Sequence, residues 1–407
     1  MRIGFVTQWF PPEPRTVVPE GIASGLAALG HDVDVVTGFP NYPAGRIMEG
    51  WSQRPYLRED ATERIRVHRS PLYPSREAHA TRRMANYLSF AGTATIAVSA
   101  KVPRPDVWLV YSSPATAALP ALLARPGRRA PICLYIQDLW PDSVTDSEFV
   151  TGRAARAIER GLHAFTNASY RAATRIGVIS PSMKHVLIER GVPADKIDWV
   201  PNWVPEFRTS EHTVDRQRLG LPNGPLFLYA GNMGQLQGLA PLVEAFASVP
   251  EASLVLMGDG VERDSLTRAA RTAEAGNVHV LPSVPVDAVG DYLSAADVLV
   301  VSLQDSALLR ATMPSKVQSS MSAGKPVFVH GAGDVADVVT KAGAGAAVGP
   351  GNTGEVAEAI RKLALQPQAW AAMGQSARQH YEDHFAPDVG ITRLESMLHE
   401  AAKRGQQ

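Results

Sequence analysis

"LYAGNMGQLQGLAPLVEAF", residues 228–246, decides the fold. An apolar run ends at Gly231. Gly234 and Gly238 then punctuate a loop, and a helical pattern of apolar residues follows. Strand, glycine loop and helix in that order form half of a parallel-sheet unit. The loop is not a Walker loop, because no Gly-Lys-Ser/Thr follows, and its glycine spacing differs from the dinucleotide fingerprint. Glycines still let backbone amides approach a ligand, and a helix start favours an anion. A plain tight turn accounts for the same letters, so both readings stay open on this stretch alone.

The same alternation runs outward in both directions. After it come "SLVLMG", "VHVLPS", "DVLVVSL", "KPVFVHG" and "GAAVGPG"; before it come "RIGFVTQ", "DVDVVTG", "RIRVHRS", "DVWLVYS", "PICLYIQ", "RIGVIS" and "KIDWVP". Helical patterns such as "EGIASGLAALG" lie between them. The expected fold class is α/β, with two doubly wound, Rossmann-like parallel sheets covered on both faces. The pattern lapses at residues 201–225, a proline-containing polar stretch read as the linker. The expected domains are 1–205 and 206–386, with a final helix over 387–407. Ligands in such sheets bind beyond the carboxyl ends of the strands.

Composition narrows the class. The chain has 407 residues, 45% hydrophobic and 20% charged, as in globular proteins. Forty basic residues balance forty acidic ones, which gives no argument for nucleic acid. A lone cysteine, Cys133, excludes an internal disulfide and fits a reducing cytoplasm; within an apolar strand it reads as core. The start lacks the apolar run of a signal peptide. No run reaches about 18 apolar residues, so no transmembrane helix is expected. "NYLSFAGTATIAVSA", residues 86–100, comes nearest. It reads as a buried helix, with an interfacial membrane helix as the alternative.

Candidate ligand groups gather at strand ends. Gly258, Asp259 and Gly260 follow one strand, where turn chemistry alone also explains them. Ser283 and Val284 follow the next, where a planar base could lie against the backbone. In "TMPSKVQSSMSAGKPV", residues 312–327, a helix is expected over 314–323, with Pro314 at its first position. Lys316 then sits in the first turn, where the helix field repels a cation. A diphosphate shared by the lysine and the amides of residues 312–316 turns that repulsion into attraction; a lysine bending away into solvent is the alternative. In the first half, "TQWFPPEPRTVVPEG" is a proline-stiffened loop, and "YIQDLWPDSV" places Gln137, Asp138 and Trp140 at the carboxyl tip of the fifth strand counted. An acid beside an aromatic ring suits a sugar; Asp138 as a turn cap is the alternative. Asp32 and Asp34 match Asp-x-Asp but enter a strand rather than leave one. His380 and His384 lack the glutamate of a zinc protease motif and read as a surface helix face. No metal site and no resident cofactor are expected.

Several motifs occur together in one order: "GHDVDVVTGFPNYPAGRI", "YLSF", "QDLWPDSV", "VISPSMKHVLIERGVPADKIDWVPNWV", "YAGNMGQLQG", "GDG" and "PSKVQSSMSAGKPV". Across nearly the whole chain this resembles the retaining glycosyltransferases of family 4, which have the GT-B fold. The bacterial subgroup of O-antigen, capsule and colanic-acid aminosugar transferases is the nearest in pattern. The resemblance implies a nucleotide-sugar donor, UDP-linked in the subgroup's usual theme, held mainly by the second domain. The donor residues it implies are Asn232, Met233, Gly234, Gln237, Gly258, Asp259, Gly260, Ser283, Val284, Arg310, Thr312, Met313, Pro314, Ser315 and Ser319. The acceptor, a glycan-lipid or a small molecule such as an aminocyclitol, falls to Pro14, Arg15, Asn41, Tyr42, Arg82 and Trp140. Lys316, Asp138 and Gln137 take the catalytic roles, with Arg310 assisting Lys316. The final helix is expected to join domain one. A cytoplasmic enzyme is implied, with Arg82 and Arg83 favouring a peripheral contact at the inner face of the membrane.

The chain departs from the broad family at defined places. Two glutamates spaced by seven residues become Ala311 and Ser319. An Arg and a Lys after the second domain's first strand become Asn232 and Gln237. Gln137 stands where many relatives have His. The expected reaction is sugar transfer with retained configuration, the acceptor attacking on the face of the leaving diphosphate, because no carboxylate pair suits double displacement. A nucleotide-sugar isomerase of the same fold and a non-catalytic sugar-nucleotide-binding subunit are the alternatives.

Overall fold

In the computed structural model the chain divides into two compact units, residues 1–202 with 387–407, and residues 203–386. The structure describes residues 1–14, 17–75, 80–128, 130–142, 153–204, 206, 214–273 and 275–405.

The first unit holds strands β1 (Arg2–Val6), β2 (Asp32–Gly38), β3 (Leu57–Asp60), β4 (Ile65–Ser70), β5 (Val107–Ser112), β6 (Ile132–Ile136), β7 (Arg175–Val178) and β8 (Ile197–Trp199). Their order in the sheet is β3-β4-β2-β1-β5-β6-β7-β8. Pairing is parallel except that β3 runs antiparallel to β4. The strand pattern read from sequence lacked β3. Its "LRED" is short and polar because it forms a half-exposed edge, where charge discourages further pairing. Gln137 and Asp138 therefore follow the sixth strand, not the fifth. Cys133 is fully buried, and burial raises its thiol well above the ordinary value. Asp34 is fully buried too; Arg66 donates to it at 2.7 and 3.0 Å, and His68 lies 3.0 Å away. These partners hold its carboxyl below the usual range against the cost of burial, and the residue is core architecture.

The helix expected over 86–100 begins earlier, at Ala80, and spans Ala80–Ala100. It is not wholly buried. Asn86, Phe90, Ala91, Ala94, Ala97 and Val98 face inward, while Leu88 and Ile96 stand 52% and 69% exposed. The final helix, Pro387–Arg404, belongs to the first unit. It buries Leu394, Met397, Leu398 and Ala401, and its Glu400 reaches Arg175 at 3.1 Å.

The second unit holds β9 (Leu226–Ala230), β10 (Ser253–Met257), β11 (Val278–Leu281), β12 (Val298–Ser302), β13 (Val327–His330) and β14 (Gly345–Val348), ordered β11-β10-β9-β12-β13-β14 and parallel throughout. Side chains alternate between two cores. Phe227, Tyr229, Leu254, Leu256, Val298 and Val300 face one; Leu226, Leu228, Val255, Met257 and Leu299 face the other. A sheet apolar on both faces needs near-continuous apolar strands, which is why the sequence displayed them. Strand order reverses about β1 in the first sheet and about β9 in the second. The loops after β1 and β9 thus lie at the switch points, where open α/β sheets bind ligands.

Candidate active site

The loop after β9 is built by close backbone packing. Gly231 N–H donates to Met257 O at 2.8 Å, and Met233 N–H donates to Asp259 O at 2.7 Å. A Cβ on Gly258 would lie 1.9 Å from Gly231 O, so only glycine lets the two loops touch. Gln237 closes the loop: its Oε1 accepts from Gly234 N–H at 2.9 Å and from Asn232 Nδ2 at 3.2 Å. Asn232, Gly234, Gln237, Gly258, Asp259 and Gly260 are therefore brought together. Met233 joins them through its backbone only, since its side chain is core. Ser283 and Val284 follow β11, whose Leu281 O accepts from Gly258 N–H at 3.1 Å.

Lys316 enters this cluster from the helix Ser315–Ser322. Pro314 is the N-cap residue rather than the first helical one, with ψ at 144°, because its extended backbone lies outside the helix. The Lys316 side chain turns inward. Its Nζ donates to Tyr229 Oη at 2.8 Å and lies 4.5 Å from the Tyr229 ring centroid. Tyr229 Oη in turn donates to Asn232 O at 2.5 Å. A Cβ on Gly231 would lie 2.8 Å from Lys316 Cε and Nζ. Among the described residues no carboxylate pairs with the lysine, and burial lowers it from 10.5 to about 8.

The supporting amides are fewer than expected. Thr312 N–H is donated to Leu309 O at 3.1 Å, and Pro314 has none. Ser315 and Lys316, at the helix start, keep N–H groups without an acceptor inside the helix. Met313 is core, and Ser319 Oγ donates back to Lys316 O at 3.1 Å. Arg310 is the residue expected to assist Lys316. It is engaged with Asp305 at 2.6 and 2.7 Å, because the short helix Ala307–Arg310 points it there.

Sequence reasoning passed over a buried pair beneath the loop. Ser302 Oγ, at the end of β12, donates to Gln237 O at 2.6 Å and lies 2.9 Å from His330 Nδ1. The hydroxyl has one proton, so Nδ1 carries the imidazole hydrogen and Ser302 accepts it. Burial lowers the His330 pKa and keeps the ring neutral. Tyr229 was passed over as well: inside "LFLYA" a tyrosine reads as core, and its hydroxyl emerges only in the folded sheet.

In the first unit, Asp138 accepts from Ser113 Oγ at 2.7 Å. The residue keeps accessible surface yet lies deep among protein atoms, and that loss of water raises its carboxyl above the ordinary range. Gln137 is 8% exposed, and its Oε1 accepts from Asn202 Nδ2 at 2.6 Å. Trp140 is buried, with its ring 5.8 Å from that of Tyr87; Trp9 continues the cluster to Tyr87 at 6.3 Å and to Tyr42 at 5.6 Å. Trp9 and Tyr87 lie in stretches singled out in the sequence, "TQWFPPEP" and "YLSF", but neither was named as a site residue, because single aromatics from separate segments meet only in the fold.

Asn41 is corrected. It is 3% exposed, its Nδ2 donates to Phe39 O at 3.0 Å, and its N–H donates to Glu13 at 2.8 Å, so it closes a loop inside the protein. Pro14 and Arg82 are exposed. Arg15 lies outside the described residues. His31, Glu395 and His399 offer ligand atoms within 4.8 Å of one another. His31 precedes β2, so this group lies at the opposite end of the sheet from the strand tips. The His380 and His384 rings lie 4.5 Å apart, tilted by 51°, on the helix Pro367–His384, and burial with the neighbouring ring lowers His380 to about 4.

Comparison with known proteins bears on the family and the fold. Residues 15–203 match the model "Glycosyl transferase 4-like domain", and residues 211–380 match "Glycosyl transferases group 1". Over 316 residues, 74% of the chain, it is 28% identical to the "Putative colanic acid biosynthesis glycosyl transferase WcaI" of Escherichia coli (strain K12), covering 75% of that protein. It is 25% identical over 225 residues to the 2-deoxystreptamine glucosyltransferase of Streptomyces kanamyceticus, covering 52% of this chain and 57% of that one. Among solved structures, sucrose-phosphate synthase from Thermosynechococcus elongatus superposes with a TM-score of 0.74 at 18% identity, covering 99% of each chain. Anabaena HepE in complex with UDP gives 0.71 at 16%, covering 98% of this chain and all of the other. Two Rossmann-like units, each with a loop at its sheet's switch point, match structures of the GT-B fold, and the two domain models make this a glycosyltransferase of that fold. Within that class the chain belongs with family 4, carrying a 4-like domain followed by a group 1 domain.

Proposed function

We propose that the chain moves a sugar of the N-acetylated hexosamine type from a UDP-linked donor to an acceptor hydroxyl, with retained configuration and without a metal. The setting is bacterial glycan or glycosylated-metabolite biosynthesis. One observation carries the reading. Lys316 holds a cation against Tyr229 and Gly231 at the tip of β9, with no carboxylate partner among the described residues. A half-buried ammonium without a counter-ion is costly, and a bound diphosphate relieves that cost. As the bond to the sugar breaks, negative charge grows on the leaving diphosphate. Lys316 and the N–H groups of Ser315 and Lys316 stabilise that charge where it develops. Asp138 and Gln137 orient hydroxyls of the reacting sugars. A phosphate oxygen on the attacked face accepts the acceptor's proton, since no carboxylate pair for double displacement was found in the sequence. UDP is favoured because HepE binds UDP in its solved complex. A glycan acceptor is favoured by the name of the colanic-acid relative, and an aminocyclitol by that of the 2-deoxystreptamine one.

Calorimetric titration with UDP and GDP tests the reading directly. The wild type should bind UDP, and Lys316→Ala should bind it at least tenfold more weakly, about 1.4 kcal/mol, while melting cooperatively. Equal affinity in the two proteins would remove Lys316 from the site. Transfer of label from UDP-N-acetylhexosamine to a candidate acceptor, with the anomer read by NMR, tests the reaction. Isomerised donor in the absence of acceptor would instead make the chain an isomerase.

A further inference from the structure

We propose that His31, Glu395 and His399 bind a zinc ion that fastens the last helix to the first sheet. Glu395 and His399 stand one turn apart on the helix Pro387–Arg404, so their side chains share a face. His31 comes from far away in the chain, directly before β2, and is buried. One ligand atom from each of the three lies within 4.8 Å of the others. A tetrahedral zinc holding nitrogen and carboxylate oxygen at about 2.1 Å sets its ligands roughly 3.4 Å apart. Glu395 Oε1 lies 2.8 Å from His31 Nε2 and 3.6 Å from His399 Nε2, distances that bracket that value. The shorter contact is a hydrogen bond, which opens by about half an ångström to admit the ion. The longer one exceeds a hydrogen bond yet suits two ligands of one metal. The His31 and His399 rings have their centroids 5.6 Å apart and are inclined by 64° rather than stacked.

The donor set selects the ion. Two imidazoles and one carboxylate suit zinc, whereas magnesium and calcium take oxygen ligands. The group supplies three protein ligands among the described residues. Water completes the tetrahedron on the side of His399, whose side chain is 48% exposed. His31 is held from behind: Met1 N lies 3.2 Å from its Nδ1, which leaves Nε2 facing the acid. An ion pair between His31 and Glu395 explains two of the three side chains. It gives His399 no reason to converge on the same oxygen. The ion would join segments 364 residues apart. A cross-link over so long a span restricts the unfolded chain, so metal binding adds to folding stability. His31 precedes its strand, whereas Gln137 and Asp138 follow β6 in the same parallel sheet. The zinc site therefore stands apart from the sugar-transfer reading and leaves that reaction without a metal.

Zinc titration of the full chain, stripped beforehand with a chelator, decides the matter. Calorimetry should find one tight equivalent of zinc in the wild type. Saturating zinc should raise its melting temperature by roughly 3 °C or more, and magnesium or calcium should not. His399→Ala alters a half-exposed side chain and should melt as the metal-free wild type does, yet bind zinc about tenfold or more weakly. Glu395→Gln keeps an oxygen for His31 and should show the same loss, which separates lost ligation from lost folding. Cobalt(II) in place of zinc should give the intense visible bands of a four-coordinate site in the wild type and not in His399→Ala. Wild type that binds no zinc would overturn the proposal. Variants that bind as it does would overturn it as well, because the ion would then sit on other side chains. A UDP-induced melting shift that vanishes on chelation would do the same, by tying the ion to the donor site.

Discussion

Lys316 poses a conflict at the residue scale: a cation at the positive end of a helix. Helical side chains lean toward the helix N-terminus, so a long one in the first turn can reach beyond the helix start. This one ends on Tyr229 Oη. Burial favours its neutral form and sets it to about 8. The unfolded chain, near 10.5, holds the proton more tightly, so this group's contribution to stability rises with pH between about 8 and 10.5. A diphosphate favours the charged form, which reverses the preference on binding. UDP affinity should therefore weaken as pH climbs through about 8, and Lys316→Ala should flatten that dependence. Titrations at several pH values check it; a slope that survives the substitution assigns it to another group. Gly231→Ala is a second test. Its Cβ would meet Lys316 at 2.8 Å in a backbone with φ of 137°, so the variant should lose UDP affinity and about 1 kcal/mol or more of stability. An alanine variant with native affinity would show that the lysine can leave Tyr229 without loss.

At the scale of elements, the loops after β1 and β2 are tied by Glu13. It is 3% exposed; one oxygen accepts the N–H groups of Asn41 and Tyr42 at 2.8 Å each, and the other accepts from Phe10 N–H at 3.2 Å. Burial raises its carboxyl, while those donors and Arg69 pull it down. Glu13→Ala leaves three amides without an acceptor and should cost roughly 3 kcal/mol. Glu13→Gln keeps the shared oxygen but turns an NH2 toward Phe10 and should lose less. Denaturant melts should order the proteins wild type, Gln, Ala; an alanine variant as stable as wild type would show that water replaces the carboxylate. No periodicity marks Glu13, because its partners come from a loop some thirty residues away. The helix Ala80–Ala100 illustrates the same limit. Its existence was legible, but its pattern could not say which apolar side chains lie outward.

For the whole molecule, the last helix is distant in sequence from the unit it completes. Leu394, Met397 and Leu398 are buried there, and burying each is worth roughly 1.5–3 kcal/mol, together comparable with a domain's entire stability. Ending the chain at Ala386 should leave the first unit aggregated or molten while residues 203–386 keep a cooperative melt. Calorimetry of the truncated chain checks this, and two native transitions would mean that the helix is dispensable. The strands of the second sheet were readable because both faces are buried, which forces apolar letters at every position. Polar edge strand β3 was not, since an edge needs only one apolar side.

By itself the sequence determined the α/β class, the βα order, the glycine loop after β9 and the anomalous lysine, because these rest on local geometry and short-range periodicity. Only the tertiary structure decided where Lys316 points, that Tyr229 receives it, that Arg310 is claimed by Asp305 and that Asn41 faces inward. Those outcomes depend on which side chains meet across strands and loops far apart in the chain, and contact of that kind leaves no period to read.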